Sequence, residues 1–97
     1  MGNLRTESAS VTSGGVVTES GGIDWINGNC SSTSPYTCNF NTSVFSTAPV
    51  CTFTNIADGG GYLTTVPTTS GFTYRSILTT SGATTNLAFQ VICTGTR

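Results

Sequence analysis

The sequence predicts an all-β domain, a small antiparallel β-sandwich of about seven or eight short strands with a jelly-roll-like character. Three observations predict it. Apolar residues recur at spacing two, and Gly, Ser, Asn or Pro interrupts them roughly every eight to twelve residues. No stretch carries the i, i+3, i+4 apolar spacing of an amphipathic helix. Finally, serine and threonine make up about a third of the chain, a composition that is either disordered or built of short strands, and the alternating apolar clusters decide for strands.

The elements follow in order. Leu4 to Val11 reads as the first strand, Ser13-Gly14-Gly15 as its turn and Val16 to Glu19 as the returning strand. Ile23-Asp24-Trp25-Ile26-Asn27 reads as another strand, and Asn27-Gly28 reverses the chain, because both residues tolerate the positive φ of a tight hairpin turn. Tyr36, Cys38 and Phe40 then fall on one face of a strand while Thr37, Asn39 and Asn41 fall on the other. Ala48 to Ala57 places Pro49, Cys51 and Phe53 on one face. After the turn Asp58-Gly59-Gly60-Gly61 comes a strand from Tyr62 to Thr69, which Pro67 confines to an edge or a bulge because it cannot donate to a ladder. Ser70-Gly71 turns into Phe72 to Thr80, and Thr80-Ser81-Gly82-Ala83 turns into the closing strand Leu87 to Gly95, with Leu87, Phe89, Val91 and Cys93 on one face. There is no internal repeat, and residues 1 to 97 form a single domain. Met1-Gly2 reads as an expression start placed on a domain cut from a longer protein.

Cys30, Cys38, Cys51 and Cys93 permit three pairings, and their spacings do not match the paired knuckles of a zinc site. Disulfides suit a small domain whose core buries only about 60 to 65% of the unfolded surface, and they imply an oxidising, extracellular compartment. If the strands around residues 51 and 93 are antiparallel neighbours, setting Cys51 opposite Cys93 also sets Phe53 opposite Val91. The covalent and hydrophobic registers therefore agree. That assigns Cys51–Cys93 and leaves Cys30–Cys38 to staple the polar segment between them.

Composition restricts the chemistry. Histidine and lysine are absent, so the chain has no Ser-His-Asp triad, no imidazole ligand, no Schiff base and no phosphate-clamping lysine. Net charge is -1, and the cations are Arg5, Arg75 and Arg97, too few for the footprint of a nucleic acid or an anionic membrane. No segment has the length and apolarity of a membrane span or the pattern of a signal peptide. Glycoside hydrolysis needs two carboxyl groups in a fixed pair. Asp24 and Asp58 are the pair the chain offers, and nothing in the sequence brings them together. The expected protein is not an enzyme, uses no cofactor or metal, and presents a polar, uncharged surface.

The segments Gly14-Gly15-Val16-Val17, Ile23-Asp24-Trp25-Ile26, Phe45 followed by Ala48-Pro49-Val50-Cys51, Thr69-Ser70-Gly71-Phe72, and Phe89-Gln90-Val91-Ile92-Cys93-Thr94-Gly95 together resemble the C-terminal tip domains of trimeric fibres. Such domains end bacteriophage tail fibres and the adhesive fibres of predatory bacteria. The resemblance implies a sandwich that trimerises side by side behind a slender shaft preceding Leu4, and a receptor-binding role toward a cell-surface glycan or protein. A structural knob that caps and registers the fibre without a ligand of its own is the alternative it leaves open.

Several residues are candidates for a ligand site. Trp25 can stack a sugar ring while Asp24, Asn27 or Asn29 bonds the hydroxyls, although its alternation with isoleucines favours a place in the core. Tyr36, Tyr62 and Tyr74 pair an apolar ring with a polar tip, and Tyr62, straight after three glycines, is the one expected at the surface. Asp58 can accept from a sugar, though Asp before Gly is also ordinary turn chemistry. Arg75 shares a strand with Tyr74 but faces the other way, where it can cross a subunit interface or grip an anionic group. Asn29-Cys30-Ser31 and Asn41-Thr42-Ser43 match the glycosylation acceptor pattern, which arises readily by chance in so Thr- and Ser-rich a chain.

Overall fold

Among the described residues, alternation of inward and outward side chains builds seven antiparallel strands: β1 (Leu4–Val11), β2 (Val17–Ser20), β3 (Tyr36–Asn39), β4 (Val50–Asn55), β5 (Gly60–Thr68), β6 (Gly71–Ile77) and β7 (Phe89–Thr96). The structure, a computed structural model, describes residues 4–20, 24–31, 35–42, 44–55, 59–77, 81 and 87–97. The strands form a four-stranded sheet of order β2-β1-β7-β4 and a three-stranded sheet of order β3-β6-β5, packed against each other. Among the described residues no helix is long and apolar enough to cross a membrane.

The core lies between the sheets and is largely aromatic. Phe53 on β4 stacks on Tyr74 of β6 at 4.4 Å and meets Phe72 at 5.1 Å; Phe89 of β7 meets Tyr36 of β3 at 4.9 Å. At one end Phe40 joins Phe72, Phe45 and Trp25, so ring contacts run continuously along the interior. Edge and offset contacts of this kind contribute about 0.5 to 1.5 kcal/mol each beyond the area they bury. The two buried phenols find hydrogen-bond partners, whereas the buried Ser76 Oγ has none among the described residues. Tyr36 Oη shares its proton between the carbonyls of Leu87 (3.0 Å) and Thr12 (3.3 Å), and Tyr74 Oη donates to Asn55 Oδ1 at 2.6 Å.

Both expected disulfides are present, Cys30–Cys38 and Cys51–Cys93. In the β4–β7 ladder Cys51 stands opposite Cys93 and Phe53 opposite Val91, the register that the hydrophobic pattern requires. The expected turn near Ser13 closes β1 on β2, with Gly15 at φ 85° and its N–H donated to the Thr12 carbonyl at 2.9 Å. A side chain at Gly15 would run into the Cys30 carbonyl, so glycine is required there on two counts. Strand β5 is an edge strand with register shifts after Leu63 and Thr65, as Pro67 leads one to expect.

One expected strand does not form. Around Trp25 the chain makes a single bridge, Ile26 to Phe40, rather than a ladder. Trp25 and Ile26 are both fully buried, and two successive side chains of a pleated strand cannot face the same core. The backbone turns instead, and Glu19 Oε2 accepts the freed N–H groups of Trp25 (2.6 Å) and Ile26 (2.8 Å). Gly28 takes the positive φ its turn signal requires, 67°, but the chain continues to Asn29 and Cys30, which bond to the β1–β2 hairpin, not back onto residues 24 to 26. Ile23, Asp58 and all of the Thr80–Ala83 turn except Ser81 lie outside the described residues.

The outer face of the four-stranded sheet carries no charge at its described positions. Leu4, Thr6, Ser8 and Ser10 of β1 lie beside Thr18 and Ser20 of β2 on one flank and Gln90, Ile92, Thr94 and Thr96 of β7 on the other, with Val50, Thr52 and Thr54 of β4 beyond. Arg5 and Glu7 take the opposite side of β1, where they pair at 3.6 Å.

Candidate functional site

At the end of the sandwich where β3 and β7 finish, loops leave a cleft of about 710 Å³, within the range of ligand sites. Its position follows from local chemistry. Phe40 N–H donates to the Ser70 carbonyl at 2.8 Å and Ser46 N–H to the Thr96 carbonyl at 2.7 Å, which ties the β5–β6 turn to β3 and the 44–46 loop to β7. Asn41 Nδ2 donates to the Asp24 carbonyl at 2.7 Å, while its own N–H reaches the Trp25 carbonyl at 2.9 Å. These bonds hold the walls apart. Phe40 and Phe45, both nearly buried, form the floor, and Asn27, Asn39, Asn41, Thr42, Ser46, Thr69, Ser70 and Arg97 line the sides.

The side chains of Asn27 and Asn39 are exposed and, among the described residues, make no hydrogen bond. Each amide offers two donors and an acceptor, and the Arg97 guanidinium adds a planar set of donors. No Asp or Glu side chain is among the described lining residues, and Arg97 is the one lining residue with a charged side chain. Such an arrangement can bind a neutral hydroxylated ligand by paired hydrogen bonds above an apolar floor.

Of the residues singled out in the sequence as ligand contacts, the cleft gathers only Asn27; Asn41 and Thr42, noted there as part of a glycosylation acceptor pattern, also line it. Trp25 is corrected as a displayed residue: it is wholly buried, stacks on Phe40 at 5.6 Å and donates Nε1–H to the Ser8 carbonyl at 3.0 Å. Tyr74 is likewise corrected, being 2% exposed within the sandwich. Burial raises the pKa of the Tyr74 phenol, and burial together with the neighbouring Tyr74 raises that of Tyr36. Arg75 lies on the outer face of the three-stranded sheet, opposite Tyr62 in register, with a buried Nε that has no hydrogen-bond partner among the described residues. Tyr62 is placed by its backbone only, and Asp58 lies outside the described residues. The residues missed, Asn39, Asn41, Thr42, Ser46, Thr69, Ser70 and Arg97, come from separate loops and strand ends. The one signal that bore on them was the outward alternation of Asn39 and Asn41. Compared with known protein families, characterised proteins and solved structures, the chain finds no match.

Proposed function

We propose that the protein is a non-enzymatic receptor-binding module that takes a cell-surface glycan in the end cleft, as the terminal domain of a homotrimeric adhesive fibre. The observation that carries this reading is the pair of unengaged amides, Asn27 and Asn39, set above the apolar floor of Phe40 and Phe45. Amides of this kind match adjacent sugar hydroxyls, which donate and accept at once. The two disulfides are compatible with an oxidising extracellular setting. Weak single sites suffice in such a fibre, because three sites on one particle raise the effective concentration of each.

The test is binding of the protein to a glycan array and to whole bacterial cells, with the double variant Asn27→Ala/Asn39→Ala alongside. Saccharide binding that weakens by about tenfold or more in the variant, at an unchanged unfolding midpoint, is expected, since each lost pair of hydrogen bonds is worth on the order of 1 to 3 kcal/mol. Silence on the array and on cells, or binding indifferent to both asparagines, would overturn it.

The reading of the domain as a structural trimerisation knob is favoured by one observation, the uncharged outer face of the four-stranded sheet with Leu4, Val50 and Ile92 exposed on it. Strand spacings give that face roughly 500 Å² of projected area. Turned toward a common threefold axis, three copies together bring about 1,500 Å² of it into contact. A second copy of this chain meets no desolvation of charge there.

A further inference from the structure

The cleft does not end at Asn39 and Ser70. Both residues also line a smaller groove of about 170 Å³ that runs onto the outer face of the three-stranded sheet, past Thr37, Thr73, Thr68 and Val66. The ladder explains the continuity. In the β3–β6 register Asn39 stands opposite Gly71 and Thr37 opposite Thr73. Gly71 brings no side chain to the junction, and a Cβ there would run into the Cys38 carbonyl, so glycine lets β6 lie close against β3 where the cleft meets the groove. The outer edge of β3 is taken by the 27–31 segment, whose Asn27 and Ser31 N–H groups donate to the Asn39 and Thr37 carbonyls at 2.7 and 2.9 Å, while the Thr37 and Asn39 side chains stay exposed.

Thr37 lies two residues further along β3 than Asn39, a step of roughly 7 Å and about the length of one sugar ring. Its hydroxyl and that of Thr73 supply donors and acceptors at that step, and Val66, 80% exposed, supplies an apolar contact beside them. Resting on the glycan reading above, we propose that the site is built for an oligosaccharide of two or more units: one ring in the end cleft, the next over Thr37 and Thr73, and Asn39 and Ser70 at the linkage between them. The protein then distinguishes glycans by chain length and not only by the terminal sugar.

The test is titration calorimetry with gluco-, manno-, galacto- and chito-oligosaccharide ladders of one to four units, using the wild-type chain and Thr37→Arg. Thr37 is exposed on an edge strand, and an arginine there fills the groove without touching the core. In whichever ladder binds, affinity is expected to rise by about tenfold or more between one unit and two or three, then level off. Thr37→Arg is expected to remove that rise and leave monosaccharide binding unchanged. Equal affinity at every length, or a rise that survives Thr37→Arg at an unchanged unfolding midpoint, overturns the extended site while leaving the glycan reading standing. Absence of binding by every ladder overturns both.

Discussion

Trp25 joins three functions in one side chain: it fills the space beside Phe40, caps the Ser8 carbonyl through its indole N–H, and presents its own backbone N–H to Glu19. Trp25→Ala is expected to cost about 3 to 5 kcal/mol in urea unfolding, a large share of the about 5 to 15 kcal/mol a domain possesses. A loss below about 1 kcal/mol would contradict its place in the core. The sequence made this residue legible as large and alternating, which is why burial was the favoured reading. It did not show that Ile26 would turn inward beside it, because that depends on Glu19 accepting two backbone N–H groups, a contact no local pattern announces. The tyrosines make a pH prediction. Burial raises the folded-state pKa of Tyr36 and Tyr74 above the ordinary value of 10.0, so the folded chain holds these protons more tightly than the unfolded one. Their contribution is therefore complete below pH 10 and is lost as pH rises through the folded values. Alkaline titration followed by tyrosinate absorbance is expected to show delayed ionisation that coincides with unfolding; ordinary titration near pH 10 with the fold intact would contradict it.

Among the elements, β4 depends most on a cross-link. It is an edge strand of the four-stranded sheet and, among the described strands, is paired only with β7, to which Cys51–Cys93 joins it across 42 residues of sequence. By loop-closure entropy that bridge is worth about 4 kcal/mol and Cys30–Cys38 about 2.6 kcal/mol. Cys51→Ala/Cys93→Ala is therefore expected to lower unfolding free energy more than Cys30→Ala/Cys38→Ala, measured in urea, and the reverse order would show that strain or residual unfolded structure dominates. This pairing was readable in the sequence because one strand offset satisfied both the cysteines and the Phe53–Val91 pair. Most strand positions were readable for the same reason: a period of two allows one register per buried face. The exception was the segment around Trp25, where two adjacent core residues break that period.

At the scale of the whole molecule, the cleft is a product of tertiary structure. Asn27, Asn39, Ser46, Ser70 and Arg97 are far apart in sequence and meet only because β3, the β5–β6 turn and the end of β7 finish at the same level. Read locally, each asparagine or serine is ordinary turn chemistry, so the sequence marked Asn27 as a sugar partner and passed over its neighbours. The sheet faces make a second prediction at this scale. Light scattering is expected to give three times the chain mass, and Ile92→Glu, which sets a charge in the middle of the uncharged face, is expected to return the monomer at an unchanged unfolding midpoint. A wild-type monomer would remove the support for side-by-side assembly. The aromatic interior has one more consequence. Trp25 is the sole indole of the chain, and it stacks on the same Phe40 ring that floors the cleft. Its emission is thus a built-in, label-free gauge of what enters there: a ligand resting on Phe40 shifts the surroundings of a single fluorophore, and no other tryptophan dilutes the signal.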